Sequence, residues 1–292
     1  MPKKLTFLTR NTTARILSTS ITGVMGATIA LVFVALALSV WLSRNALLPY
    51  NPFAIDMTKA FQPPSWSHFF GTDSLGRDVF SRVLAATSID ALVAFVVVSV
   101  SLALGLLMGT IAAYEGGLIE EVLMRVTDIF LAFPGLVLAL AIALDLGPNI
   151  LNSMIALTPV WWPYYTRLAR GETLNAKSQD FVEASKACGQ RTRFILLHHI
   201  IPSILPVMLV YATMDIGNVL IIFSVLSFIG VGAQPPAAEW GLMVVQDSQY
   251  LFQAPWIVLF PSIAIFTVAM GFSMLGDKLR DSLDPAIRGL FT

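Results

Sequence analysis

Long apolar runs without a formal charge are the feature that most limits what this chain can fold into. Residues 21–41 contain no charged side chain, and residues 91–114 form a second such run. A helix needs about 20 apolar residues to cross the hydrocarbon core of a bilayer. Because backbone amides in lipid must be paired within their own segment, the sequence predicts an all-α, polytopic membrane protein.

Composition supports the membrane class and argues against several others. Of 292 residues, 56% are hydrophobic and only 12% are charged, whereas soluble domains carry about 25% charged residues. The net charge is zero, so a nucleic-acid partner is not expected. The single cysteine, Cys188, excludes an intramolecular disulfide framework, and we expect it to be buried in a structural role.

The hydropathy pattern predicts six transmembrane helices embedded in the lipid bilayer. We divide the chain into an N-terminal part, residues 1–85, which holds a cytoplasmic segment, the first helix and an extracytoplasmic segment. The remainder, residues 86–292, is predicted to be a five-helix core with a cytoplasmic loop at about residues 171–202. The predicted spans are residues 21–41, 91–114, 118–144, 150–168, 203–232 and 255–276.

Orientation follows from the distribution of Lys and Arg, which are enriched in cytoplasmic segments. With the N-terminus inside, fourteen of the 18 Lys and Arg residues fall in inner segments and four in outer segments. The pattern therefore predicts cytoplasmic N- and C-termini, a cytoplasmic loop at residues 171–202, and a multi-pass protein of the inner (plasma) membrane.

A polar segment at residues 183–202 interrupts the apolar runs. Gly189 is predicted to form a left-handed turn that ends a first short helix. Thr192 can cap a second helix, and Pro202 is expected to stop that helix from continuing into the next span. Glu183 lies beside the small residues Ala184 and Ser185, which would let another protein approach closely.

The spacing in this segment resembles a known family motif. Glu183-Ala184-Ser185, three residues, Gly189, nine residues and His199-Ile200-Ile201-Pro202 resemble the cytoplasmic loop of ABC importer permeases, although Ser185 departs from the commonest third residue. Residues 71–82, 227–241 and 275–285 resemble further stretches of the dipeptide/oligopeptide/nickel branch. The resemblance implies a type I ABC importer permease fold and the second, C-type, permease subunit.

The same resemblance implies a set of partners. These are a second homologous permease, two cytoplasmic ATPase subunits or domains that bind ATP and Mg, and an extracytoplasmic substrate-binding protein. This sequence has no Gly-x-x-x-x-Gly-Lys-[Ser/Thr] loop and no catalytic constellation, so we expect neither an enzyme nor a cofactor or metal site in this chain alone. The residues expected to contact an ATPase are Glu183, Ala184, Ser185, Gly189, Arg193, His199 and Pro202.

The substrate is not decided by the sequence. Di- and oligopeptides are the first candidate, with nickel or another small solute as the alternative, since residues 213–217 also resemble nickel-type members. The predicted spans lack His and Cys clusters, which disfavours a path that binds a soft metal. An ion-gradient secondary transporter would need paired intramembrane charges, and no inverted repeat is visible. A membrane-embedded enzyme has no supporting motif.

Asp215 is the only formal charge between residues 203 and 232, and ionisable groups within spans are costly. Helical spacing places Tyr211, Asp215 and Asn218 on one face. These three residues are the candidates for a translocation path. The alternative is a structural hydrogen bond from Asp215 to a neighbouring helix, and both remain open at this point.

Three further expectations concern helix packing and residues 44–85, which are predicted to be extracytoplasmic and are called the outer segment below. The Gly105-x-x-x-Gly109 pair permits close helix approach, and helix packing is its expected use. Thr72 or Asp73 is expected to cap a short helix. The side chains of His68, Arg77 and Arg82 are expected to be solvated.

Overall fold

A computed structural model describes residues 20–283, and the secondary structure in this range is helical, with one isolated antiparallel bridge between Thr72 and Asp78. Short 3₁₀ turns lie at Met57–Lys59 and Ser248–Tyr250, and a π-helical turn lies at Leu196–Ile200. The α-helices are α1 (Ile21–Ser43), α2 (Val79–Glu115), α3 (Gly117–Leu131), α4 (Gly135–Leu146), α5 (Ile150–Lys177), α6 (Asp180–Ala187), α7 (Thr192–Ile195), α8 (Ile201–Ile229), α9 (Trp240–Gln246) and α10 (Trp256–Leu283).

Four helical stretches within residues 20–283 are long and apolar enough to cross a membrane. These are Ile21–Ser43, Val79–Glu115, Thr192–Ile229 and Trp256–Ser282, and the pair α3 and α4 makes a fifth if it is counted as one span. Helix α5, the predicted fourth span, is not among them. The count of six and the division at residues 85/86 therefore stay predictions, and the predicted cytoplasmic termini, residues 1–19 and 284–292, lie outside the described residues.

The predicted third span is divided into two helices. Helices α3 and α4 meet at an angle of 85°. Pro134 separates them and has the backbone conformation expected of proline, with φ −58°. Because proline lacks an N–H and disfavours helical conformation in the residue before it, helix α3 ends ahead of Pro134.

Helices α2 and α5 approach closely at two glycines. A Cβ added at Gly105 would lie 2.3 Å from the Cβ of Tyr165, and one at Gly109 would lie 2.3 Å from the carbonyl oxygen of Thr166. No side chain fits at either position without moving the neighbouring helix. The expected packing role of the Gly-x-x-x-Gly pair is confirmed.

Helix α10 packs against both α1 and α8, again through small residues. A Cβ at Gly26 would lie 2.6 Å from the amide nitrogen of Leu275, and a Cβ at Gly217 would lie 2.9 Å from the carbonyl oxygen of Ala269. The rings of Phe33 and Phe272 fill the adjacent space edge to face, with centroids 5.9 Å apart. These contacts place α10 between α1 and α8.

The outer segment folds over the start of α2, and the charged side chains at their contact are buried. The Arg82 side chain is only 1% exposed, and it donates hydrogen bonds to the carbonyl oxygens of Pro52 (3.1 Å) and Ala237 (3.4 Å). Arg77 donates through Nε to Asp73 at 2.6 Å. The prediction that both arginines are solvated was wrong, because each finds buried acceptors that replace water.

His68 and Asp78 form a second buried pair in this segment. Nδ1 of His68 lies 2.8 Å from Oδ1 of Asp78. The other carboxylate oxygen of Asp78 accepts from the amide of Ser81 at 2.7 Å and caps α2. The predictions of a solvated His68 and of a cap at Thr72 or Asp73 were wrong, since the N-terminal amides of α2 meet Asp78 instead.

A pair of buried carboxyl groups joins the outer helix α9 to α2. Glu239 caps α9 by accepting from the amides of Gly241 (2.9 Å) and Leu242 (2.7 Å), and burial raises the pKa of Glu239. The carboxyl group of Asp90 on α2 lies within hydrogen-bonding reach of Glu239, and neither side chain is exposed to solvent. In the described part of the chain no Lys or Arg nitrogen lies within 4 Å of either group. The amide of Trp240 donates to Oδ2 of Asp90 at 3.4 Å, so the start of α9 supplies backbone donors to both carboxyl groups.

Candidate functional site

The polar segment forms a helix, a glycine turn and a second helix. Gly189 has a φ of +72°, as predicted for a left-handed turn. The amide of Gln190 donates to the carbonyl of Ser185 (3.2 Å), and the amide of Gly189 donates to that of Lys186 (2.9 Å). These two bonds are the pattern of a Schellman C-cap, which satisfies the last carbonyls of α6.

The second helix does not stop at Pro202. Thr192 is the first residue of α7 and the preceding Arg191 takes the cap position, so the expected Thr192 cap was wrong. Helix α7 runs through the π-helical turn Leu196–Ile200 directly into α8. Pro202 lies in the first turn of α8, directly after this π-helical turn. The wider turn thus lets the chain pass the proline without a break, contrary to the prediction.

Side chains of the polar segment also contact one another. The Oγ of Ser185 donates to Oε1 of Gln190, and Nε2 of His199 lies 3.3 Å from the same oxygen. The ring of Phe194 stacks on that of His198 with centroids 4.2 Å apart. Ser185 is therefore turned inward rather than offered to a partner. Cys188, expected to be buried, is exposed.

The end of α2 anchors this segment. Lys177 donates through Nζ to the carbonyl oxygens of Tyr114 (2.7 Å) and Ala113 (3.2 Å), and Lys186 lies 5.5 Å above the Tyr114 ring. A lysine at the last carbonyls of a helix is favourable for the helix dipole. The polar segment is thereby fixed to the transmembrane core.

The exposed surface of the segment contains four of the seven residues expected to contact an ATPase. Glu183, Ala184, Gly189 and Arg193 are exposed, His199 and Pro202 are half-buried, and Ser185 is buried. Among the described residues this surface carries charge of both signs, and the apolar side chains of Phe194 and Leu197 are exposed among them. Exposed apolar side chains surrounded by charges are typical of a surface that binds another protein.

A cavity of about 570 Å³ lies between α4, α5 and α8. Tyr211, Asp215 and Asn218 all line it, whereas Ile216, Leu220 and Phe223 are buried in the core. The predicted division of α8 into a polar and an apolar face is confirmed.

Asp215 is held by two neutral donors. The hydroxyl of Tyr165 donates to Oδ2 at 2.8 Å, and Nδ2 of Asn218 lies 3.2 Å from Oδ1. Asp215 thus makes the bond to a neighbouring helix that the structural alternative requires, and it also lines the cavity. Sequence reasoning missed Tyr165, because nothing in the sequence pairs two residues fifty positions apart.

Two ion pairs connect α3 to α5. The Nε of Arg170 lies 2.6 Å from Glu120, and an Nη of Arg167 lies 2.7 Å from Asp128. The first pair is half-buried and the second is largely exposed. They connect helix α3, which meets α4 at the 85° bend, to helix α5, which carries Tyr165.

Comparisons with known proteins agree with this architecture. Residues 101–289 match the family described as "Binding-protein-dependent transport system inner membrane component". The chain is 41% identical over 227 residues to the dipeptide transport system permease protein DppC of Alkalihalophilus pseudofirmus, covering 78% of this chain and 75% of that protein. It is 40% identical over 261 residues to the glutathione transport system permease protein GsiD of Escherichia coli O6:K15:H31. That match covers 89% of this chain and 86% of that protein.

A solved structure shows the same fold. A chain of the MetNI methionine ABC transporter in inward-facing conformations superposes with a TM-score of 0.56 at 16% identity, covering 70% of this chain and 98% of that chain. Taken with the spanning helices and the polar segment that joins them, this match and the family match identify the chain. It belongs to the family of inner-membrane components of binding-protein-dependent transport systems, as a multi-pass ABC transporter permease of the plasma membrane.

Proposed function

We propose that the chain is the permease subunit of an ATP-driven importer of di- or oligopeptides. The observation that carries the proposal is the identity of about 40% over most of the chain to permeases named for dipeptide and glutathione transport. Nickel import is the alternative that the resemblance of residues 213–217 to nickel-type permeases leaves open. The named relatives favour peptides over nickel.

The proposed complex contains this chain, a second homologous permease, two ATPase subunits that hold ATP and Mg, and an extracytoplasmic binding protein. The polar surface around Glu183 and Arg193 supports an ATPase docking role. It is exposed, it is ordered by the Gly189 cap, and its Lys186 lies over the Tyr114 ring at the end of α2. Movement of the bound ATPase would therefore be passed to the helices.

The test is peptide uptake by the complete complex in proteoliposomes. A radiolabelled dipeptide is presented with the binding protein, and ATP is enclosed on the side of the ATPases. We expect ATP-dependent uptake by the wild type. No uptake of any dipeptide by a well-assembled complex would overturn the peptide assignment.

The docking role has its own variants. Glu183→Lys reverses an exposed charge in the polar segment, and we expect normal assembly with loss of peptide-stimulated ATP hydrolysis. Glu121→Lys makes the same change at an exposed site on α3 and serves as the matched control. Equal ATPase stimulation in the two variants would contradict the docking role.

We also propose that the cavity lined by Tyr211, Asp215 and Asn218 is part of the translocation path. Thiol labelling tests this, because Cys188 is the only cysteine and can be replaced by serine. In that background Asn218→Cys should react with a charged, water-soluble reagent, and its reactivity should change with the nucleotide state. Ile263→Cys, at an exposed apolar site on α10, should stay unreactive. Equal labelling of both sites would count against the path.

A further inference from the structure

The cavity contains an anion without a cationic partner. Asp215 is the only formally charged residue among the described residues that line it. Across residues 20–283, no Lys or Arg nitrogen lies within 4 Å of its carboxylate. A charge in such a setting is costly unless it is compensated. The hydrogen bonds from Tyr165 and Asn218 compensate it in part.

The carboxylate also has free acceptor capacity. Its two oxygens offer about four lone-pair sites, and one donor occupies each oxygen. Asp215 is half-buried and the neighbouring Asn218 is exposed to the cavity. An incoming group with several N–H donors could therefore bond to Asp215 without displacing Tyr165.

Aromatic rings surround this anion. Tyr164, Tyr211 and Trp161 line the same cavity, and Tyr164 is 59% exposed. Aromatic faces attract cations, and the Tyr211 ring already does so, since Cζ of Arg280 lies 5.9 Å from its centroid. Arg280 itself is not part of the cavity lining. The carboxylate and the aromatic faces favour a positive group over a negative one in this part of the cavity, and the rest of the lining is apolar.

We propose that this cavity binds the protonated amino group of the substrate, with Asp215 as its counter-charge and Tyr165 as the residue that positions the carboxylate. The inference rests on the proposed peptide transport and deepens it, because it specifies which end of a peptide meets this subunit. An α-ammonium group supplies three N–H donors and a positive charge. The carboxylate end of a peptide would be repelled by Asp215 and would have to face elsewhere.

Binding is measured on the intact transporter, purified with its partner subunits in lipid nanodiscs without binding protein or nucleotide. Saturation-transfer NMR compares two probes, glycylglycine amide and its N-acetyl derivative. The two share a peptide backbone, but only the first carries an ammonium group. We expect the wild type to bind the amine probe and to bind the N-acetyl probe much less.

Four variants separate charge from structure. Asp215→Asn should bind the amine probe about tenfold more weakly, which corresponds to about 1.4 kcal/mol, with no change for the N-acetyl probe. Asp215→Glu keeps the charge and should restore part of the binding. Tyr165→Phe should give an intermediate loss, again for the amine probe alone. Asp145→Asn removes an exposed carboxylate at the end of α4 and should match the wild type.

The outcomes are distinct for the two proposals. Equal binding of both probes by the wild type, or undiminished amine binding by Asp215→Asn, would overturn the amino-group site. If the wild type takes up dipeptides in proteoliposomes while showing no amine preference, only this inference fails. If the wild type takes up no dipeptide, the proposed function fails, whatever the probe binding shows.

Discussion

Gly105 and Tyr165 are in contact at the place where α2 and α5 cross. A Cβ at Gly105 would lie 2.3 Å from the Cβ of Tyr165, so the absent side chain is what allows the two helices to meet. The hydroxyl of the same tyrosine bonds to Asp215 on α8. The packing of two helices therefore determines where the cavity carboxylate is held.

Gly105→Ala should destabilise the protein by about 1–3 kcal/mol, the usual cost of overpacking. Gly171→Ala is the matched control, since Gly171 lies in α5 with nothing within 4 Å of its added Cβ. There we expect a gain of about 0.5–1 kcal/mol from replacing a helical glycine. Thermal unfolding followed by size-exclusion chromatography measures both, and a shift of the same sign in the two variants would contradict the packing argument.

Gly189→Val should lower peptide-stimulated ATP hydrolysis while leaving membrane insertion intact. The left-handed φ of +72° costs a non-glycine residue about 1–2 kcal/mol, and an added Cβ meets no atom of this chain within 4 Å, so within the subunit the change acts through backbone strain. Gly189→Asn is the control, because asparagine tolerates this conformation better. We expect it to retain most of the ATPase stimulation. Equal loss in both variants would mean that the turn geometry is not what matters.

Arg82→Met should loosen the outer segment. The change keeps most of the side-chain bulk but leaves the carbonyls of Pro52 and Ala237 without their donor, at a cost of roughly 3 kcal/mol for breaking a buried charged network. We expect faster proteolytic cleavage at residues 44–78. Lys59→Ala removes an exposed ion pair with Asp56, which contributes at most about 1 kcal/mol, and should leave cleavage unchanged. Equal cleavage of both variants would refute a bracing role for Arg82.

Glu239→Gln should make thermal stability less dependent on pH. Burial raises the pKa of Glu239 above its ordinary value of 4.5, so the folded state binds this proton more tightly than the unfolded state does. Its contribution is therefore present at low pH and is lost as the pH rises from about 4.5 through the raised pKa. The glutamine variant loses one cap acceptor, about 1 kcal/mol, but should show a shallower decline in melting temperature between pH 5 and 9. A decline as steep as that of the wild type would contradict a raised pKa for Glu239 in the folded protein.

The spanning helices were predictable because their signal is local. Uncharged runs and the proline and glycine positions predicted the ends of α1, α2, α8 and α10 to within a few residues, apart from the start of α2 and the end of α10, which lies at Leu283 rather than residue 276. That start, at Val79 rather than residue 91, was hidden by charged residues whose partners lie far along the chain. Arg82 bonds to Ala237 across 155 positions, and no local pattern indicates that it is buried.

The candidate site was predictable in part for the same reason. One helix face placed Tyr211, Asp215 and Asn218 together, and the structure keeps them on one cavity wall. Tyr165 comes from another helix, and its position depends on how closely α5 packs against Gly105. Single-helix periodicity contains no information about that distance.

The π-helical turn at Leu196–Ile200 leaves no flexible joint between the polar segment and the cavity. From Ile201 to Asp215 the chain is continuous helix, about 21 Å long at about 1.5 Å per residue. A push or twist at the segment therefore reaches the cavity wall along one helix, in which Pro206 removes a single backbone hydrogen bond. The extra residue in the turn also sets the phase of that helix, since each residue corresponds to about 100° of rotation. The π-helical turn does not line the cavity, yet it determines the direction in which Asp215 faces.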